Sequence, residues 1–365
     1  MTRLHQLTTL LAALLLIVTP ALAEDTKEAV PQQAIGEKTM VAMYLDVTQI
    51  DAEQLEGIGD TLLGALGSIA EMQGQAFALP LGDPQEITDT LITLRGSFLQ
   101  AGGEALLMTV GMPGEDNWSP PMSLMAKTNE DLDPNAMVAL VRTMGDGEMQ
   151  ATLESMGSGW QNISLSSKEG EAVTLPLPEP NETAYSAFNK QLSQHEKPIM
   201  SLAFRMQDEL REMMDLAEQA AKNAQPGQGE DAQSQMAMGM LMGMFKPIRS
   251  LDTLGIAVSL ADEESMLVDV QMTFLDAQSA QMFANLYNSI LMFAPVMIAG
   301  QAQGGDVDNM PDAATINQFF MALKMEVAGD TLKLKLDQDF FDLAEKMAPL
   351  FEGLQGEAGF DDLNL

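Results

Sequence analysis

Cysteine is absent from this chain. Its absence excludes disulfide staples, thiolate metal sites, a cysteine nucleophile and the lipid-bearing cysteine of a lipoprotein. Histidine is scarce: His5 lies in the apolar N-terminal stretch and His195 stands beside Glu196, so no two-histidine metal site is available and His195 reads as a surface residue. Aromatic residues make up 5% of the chain, with Trp118 and Trp160 the only tryptophans, which leaves few platforms for stacking sugars. Positive charge is also lacking, 18 Lys and Arg against 53 Asp and Glu for a formal net charge of −35, and such a surface repels nucleic acid and anionic lipid.

Sequence signatures of chemistry are missing as well. There is no GxSxG, SxxK, HExxH or GxxxxGK, and no GxGxxG after a strand. Carboxylate pairs for glycoside cleavage are so easily found among 53 acids that their abundance selects none, so a carboxylate-based hydrolase stands as a rival reading without named residues. The acidic run Asp306, Asp308, Asn309, Asp312 fails as an EF-hand, because counting from Asp306 the glycine position holds Pro311 and the closing glutamate position holds Asn317. The sequence therefore points away from an enzyme and calls for no cofactor.

What is present begins at the N-terminus. Arg3, an apolar run from Leu7 to Val18, Pro20 and the small residues Ala21 and Ala23 make a cleavable secretory signal over residues 1–23, with an apolar run too short to span a bilayer. A periplasmic or secreted protein is expected, soluble after cleavage following Ala23. Residues 24–36 read as a flexible leader, 225–235 and 300–312 as exposed loops.

Three landmarks recur in order at a nearly constant offset. Glu37-Lys38 and Glu196-Lys197 precede apolar runs; Pro84 and Pro247 each stand five residues before Asp-Thr-Leu, at Asp89 and Asp252; Gly170-Glu171 and Gly329-Asp330 each open an alternating run. The expected fold is α+β with tandem duplicated domains, residues 37–195 and 196–365, each an antiparallel sheet with helices packed on one face. Each repeat reads strand, helix, hairpin, helix, hairpin, helix.

In the first repeat the helix is 51–72 and the hairpins are LITLRGSFLQAGGEALLMTVGM and NISLSSKEGEAVTLPL, with an extra strand near Met122 to Ala126 and a closing helix over 182–194. In the second they are a helix through Met206, Leu210, Met213, Met214, Ala217 and Ala221, then LGIAVSLADEESMLVDVQMTF and LKMEVAGDTLKLKLD, and a closing helix over 338–349. Asp133 before Pro134, and Asp276, read as helix N-caps. The long apolar helix that Asp276 opens carries Gln281, Asn285, Asn288 and Pro295, which argue against a membrane span.

The stretch QMAMGMLMGMF at 235–245 places a methionine at every second position. As a strand it puts Met236, Met238, Met240, Met242 and Met244 on one face; as a helix it stripes Met236, Met240 and Met244. Clustered thioethers suit Cu(I), which makes a copper-handling protein the alternative reading. Against it, 30 methionines are spread through the chain in places where leucine would serve. The leading expectation is a non-catalytic binding or structural protein of the bacterial envelope. It would engage an apolar ligand or protein partner through a groove contacted by Met236, Met240, Met244, Phe283 and Leu286. The sequence sets no oligomeric state. Expression of the full chain in a secreting bacterial host should yield a product beginning at Glu24, read by N-terminal sequencing; a product that retains Met1 contradicts the signal.

Overall fold

The computed structural model describes residues 30–49, 84–112, 121–144, 149–167, 174, 177–192, 198–223, 246–260, 266–302, 311–344 and 346–347. The signal peptide, the helix expected over 51–72, the loop 225–235 and the methionine stretch lie outside the described residues.

Among the described residues, ten strands and the helices between them make an α+β protein with a large antiparallel sheet. The strands are β1 Thr39–Asp46, β2 Gly103–Gly111, β3 Met122–Thr128, β4 Met149–Gly157, β5 Trp160–Ser167, β6 Met200–Arg205, β7 Leu251–Leu260, β8 Met266–Phe274, β9 Glu326–Ala328 and β10 Thr331–Leu336. The α-helices are α1 Pro84–Gln100, α2 Pro134–Met144, α3 Glu182–Leu192, α4 Asp208–Asn223, α5 Ala277–Ala302 and α6 Ala313–Ala322. Two compact units divide the chain: the first takes Met1–Arg205 and Gly255–Met266, the second Met206–Leu254 and Leu267–Leu365. The expected division at 195/196 thus differs from the observed one, which gives β6 to the first unit and splits β7.

In the first unit β1 pairs with β2 and β6, β2 with β3, β3 with β5, and β5 with β4, all antiparallel. Side chains alternate across such a sheet, and β2 makes the consequence plain. Leu106 packs in a cluster with Phe98 of α1 and with Met137 and Val141 of α2, whereas its neighbour Leu107 packs with Phe188 and Leu192 of α3. Helices therefore cover both faces, which corrects the expectation of one. The correction has a simple cause: β1 and β2 are apolar at consecutive positions, the pattern of a strand buried on both sides.

The hairpins of the first repeat also differ from expectation. LITLRGSFLQ belongs to α1, not to a strand. Its β-branched Thr93 is accommodated by a hydrogen bond from Oγ1 to the Asp89 carbonyl one turn back. The glycine pair after it is a helix terminator rather than a hairpin turn: Gly102 has φ +85, and its N–H bonds to Leu99 O at 3.0 Å. The partner of β2 is β3, the segment read as an extra strand.

The second hairpin is β4 with β5, turning at 157–159, while most of EAVTLPL lies outside the described residues. Thr174 from that segment lies along β5. Its Oγ1 accepts from Leu165 N at 2.7 Å and donates to Ile163 O at 3.3 Å. One landmark of the duplication loses structural equivalence, since Asp89-Thr90-Leu91 is helical while Asp252-Thr253-Leu254 is in β7; Gly170-Glu171 lies outside the described residues. Residues 30–36 of the expected leader are likewise packed. Val30, Ala34 and Ile35 are buried in the α3 cluster, and Ile35 O accepts from Asn181 N at 3.0 Å.

Other expectations stand. Asp133 caps α2 by accepting from Asn135 N and Ala136 N, and Asp276 caps α5 through Ser279 N and Oγ. In the second unit β8 pairs with β10 and β10 with β9, with α5 over the apolar face of Leu332 and Leu334. Arg211 of α4 reaches back to the carbonyls of Arg249 and Leu251 at 3.0 and 2.9 Å. Among the described residues no helix is long and apolar enough to cross a membrane.

On the α3 side of the sheet the packing leaves no slack at β7. A Cβ on Gly255 would collide with the amide oxygen of Gln191, a residue only 3% exposed and so unable to swing away. Gly255→Ala is expected to lower stability by about 1–3 kcal/mol, as overpacking does. In urea unfolding the double variant with Gln191→Ala should lose less than the sum of the two single losses; strict additivity contradicts the contact.

Candidate functional site

The two sheet faces of the first unit are not covered equally. On the α3 face Ala42, Leu107, Met125 and Ala203 are all but inaccessible. On the opposite face Leu106, Met108, Leu124 and Met200 remain partly open, and a cavity of about 50 Å³ lies there. Register explains which side chains meet. Met43 stands directly opposite Met108, Met108 opposite Leu124, and Leu45 opposite both Leu106 and Met200, so one face of four adjacent strands supplies the floor. Ile163 of β5 extends it by pairing with Leu124. Phe98 from α1, with Leu140 and Val141 from α2, forms the remainder of the lining.

Every lining side chain is apolar. A water molecule there would forgo the two to four hydrogen bonds it needs, so the cavity stays dry. The unfilled space costs the fold on the order of 1 kcal/mol, from ~24 cal/mol per Å³, and each methylene placed in it regains roughly 0.8 kcal/mol. Met43, Met108 and Met200 are unbranched and adjust their shape, so the cavity can widen around a guest without displacing backbone. The lining offers no nucleophile, base or metal ligand of the oxygen or nitrogen type. What it can do is enclose an apolar group.

Of the five contacts expected from sequence, Phe283 and Leu286 do not line this cavity. Met236, Met240 and Met244 lie outside the described residues. Phe283 and Leu286 belong to α5 of the second unit, where Phe283 is 5% exposed, 5.6 Å from the ring of Phe274 and stacked on Tyr287 at 6.2 Å. Phe283 is thus a packing residue, and the burial of Tyr287 beside it raises that phenol's pKa. Leu286 is half-buried. The exposed apolar side chains of α5 come later, at Met292 and Phe293. Asn288, read as an obstacle to membrane insertion, exchanges hydrogen bonds with the backbone of Met325. Among the described residues no three of His, Asp and Glu gather as a metal site.

Comparison with protein-family models, curated proteins and solved structures finds no match to this chain. The cavity itself was visible in the sequence only as half-apolar alternation, since Met43, Met108 and Met200 are far apart in the chain and nothing local signals that β6 returns beside β1.

Asp46 follows the cavity residue Leu45 and points to the other face. Burial raises its pKa above the ordinary 3.8, opposed by hydrogen bonds from Thr48, Gln49 and Tyr44. The cause is desolvation rather than a second acid, so Asp46 does not make the paired-carboxylate cleft of a hydrolase. A raised folded pKa means that the carboxyl's contribution to stability is whole below pH 3.8 and is lost as pH rises through the folded value. The stability of Asp46→Asn relative to the unaltered protein should therefore climb as pH is raised through that window, measured by denaturant unfolding at a series of pH values. A flat difference contradicts the shift.

Proposed function

We propose that this protein is an exported, non-catalytic binding protein that takes an apolar group into the cavity of its first unit. The observation that carries the reading is the wholly apolar lining, drawn from five strands and two helices and enclosing a space that excludes water. Export rests on the N-terminal run ending at Ala23, and the net charge of −35 is consistent with a solvated life outside the cell rather than on nucleic acid.

We further propose that the chain arose by duplication. The landmark offsets do not carry this. The strand order supports it instead: outward from β1 the neighbours run β1-β2-β3-β5-β4, and outward from β6 they run β6-β7-β8-β10-β9. The same five-strand order in succession, with β4-β5 and β9-β10 both tight hairpins, is what two copies of one folding unit would leave. One copy then holds a cavity and the other fills the corresponding role with the aromatic packing of Phe274, Phe283 and Tyr287.

Xenon, a neutral apolar probe of the cavity's size, should bind saturably, and Leu124→Trp, which fills the cavity floor, should weaken it by about tenfold or more. Circular dichroism checks that the variant folds. Saturable binding that survives both Leu124→Trp and Met108→Trp contradicts the cavity as the site.

A further inference from the structure

The hydrogen bonds of β5 fix which backbone groups of β4 face outward. Leu165 N donates to Thr174 Oγ1, Leu165 O accepts from Thr174 N, Ile163 O accepts from Thr174 Oγ1, and Ile163 stands opposite Leu124 of β3. Leu165 and Ile163 therefore turn their backbone groups away from β4. Such groups point alternately to the two sides of a strand, so Asn162, Ser164 and Ser166 bond to their partners Glu154, Thr152 and Gln150. Ala151, Leu153 and Ser155 are left turning N–H and C=O outward, and among the described residues no strand lies beyond β4. An open edge recruits other strands unless it is short, charged or interrupted by proline. In the second unit β9 is three residues long, and where β10 runs past it the exposed Lys335 guards the margin. β4 has neither device. It is nine residues long, holds no lysine, arginine or proline, and its one irregularity lies at the hairpin end, between Ser155 and Gly157.

We propose that β4 is a dimerisation edge, to which β4 of a second copy of this chain adds antiparallel with Leu153 opposite its own counterpart on the twofold axis. In that register Ala151 faces the partner's Ser155, Leu153 faces the partner's Leu153, and Ser155 faces the partner's Ala151, so all the outward backbone groups of these residues are bonded reciprocally. Charge selects the occupant. With 53 acids against 18 bases, two copies repel across most of their surfaces, but the only charged residue of β4 is Glu154. The twofold sets each Glu154 across from the partner's Thr152 rather than from the partner's Glu154, which keeps like charges from standing directly opposite. A strand with a single acid has little with which to recruit a basic foreign peptide, whereas it is the stretch on which a copy can approach. Side chains agree with the backbone. Leu153 packs against the cluster of Met137 and Val141 while part of it stays exposed, and the partner's Leu153 would cover that remainder.

Analytical ultracentrifugation of the full protein over a range of concentrations tests this. A reversible monomer–dimer equilibrium is expected, strengthened by added salt, which screens the repulsion between the acidic copies. Ser155→Pro removes an N–H that the fold itself does not use and should weaken the dimer by about tenfold or more, with circular dichroism unchanged. Sedimentation as a monomer at every concentration overturns the proposal, as does a dimer indifferent to Ser155→Pro. The absence of cysteine gives a clean background for reading the register directly. Thr152→Cys and Glu154→Cys alter exposed side chains that the twofold brings opposite each other, at a separation a disulfide can bridge. Mild oxidation of the two variants mixed should give the mixed disulfide dimer in preference to the dimer of either alone. Equal yields from the mixture and from the single variants overturn the pairing, and this comparison stands if Ser155→Pro fails to fold.

Discussion

The alternation of side chains through β1 and β2 governs the rest of the first unit. Leu106 and Leu107 are neighbours in sequence and belong to different cores, one closed by α1 and α2, the other by α3. A one-residue slip in the pairing of β1 with β2 would exchange the two sets. Met43 would then leave Met108, the small Ala42 would leave the crowded α3 face, and the cavity floor would be dispersed. The register is secured from both sides, because β1 is also paired with β6 along Val41 to Leu45. Position in the cavity is thus a property of backbone pairing, and the methionines follow from it.

The inequality between the two faces has a physical origin in residue size. On the α3 side Ala42 and Ala203 of the sheet and Ala184 of the helix are small and buried, and Phe188 fills what remains at 1% exposure. Small residues on both partners bring the layers together; Gly255 beneath Gln191 shows how far this goes. On the other face Leu45, Leu106, Met108, Leu124 and Met200 meet α1 and α2. Flexible side chains that do not interdigitate tightly leave a void, and in the first unit the void collects over β1, β2 and β3. Tight packing on one side gives the sheet the rigidity that lets the other side remain incompletely filled.

How much of this was legible in sequence divides along local and non-local lines. Caps were legible because they are local chemistry: Asp133 and Asp276 each reach N–H groups two or three residues away. The hairpins β7-β8 and β9-β10 were legible because their turns and alternation are contiguous. Helix α1 was not, since Thr90, Ile92 and Thr93 favour strands and the glycines after Gln100 imitate a turn. Burial of Ile92, Phe98 and Leu99 at helical spacing overrode that propensity. The packing of Val30 and Ile35 was hidden for the same reason, as it depends on Asn181 and α3 far along the chain. The cavity required knowing that β6 returns beside β1, a contact no local pattern encodes.

The charge balance draws these features together. A chain with 53 acids and 18 bases can place acids almost anywhere on its surface, but every base withdrawn from that surface increases the imbalance. Arg211 and Arg249 are withdrawn with compensation, Arg211 by two backbone carbonyls and Arg249 by Asp215 and Glu218. Lys127 is similarly tied to Ser158 O at 2.8 Å. Arg95 differs from these: it is half-buried, and its Nε has no hydrogen-bond partner.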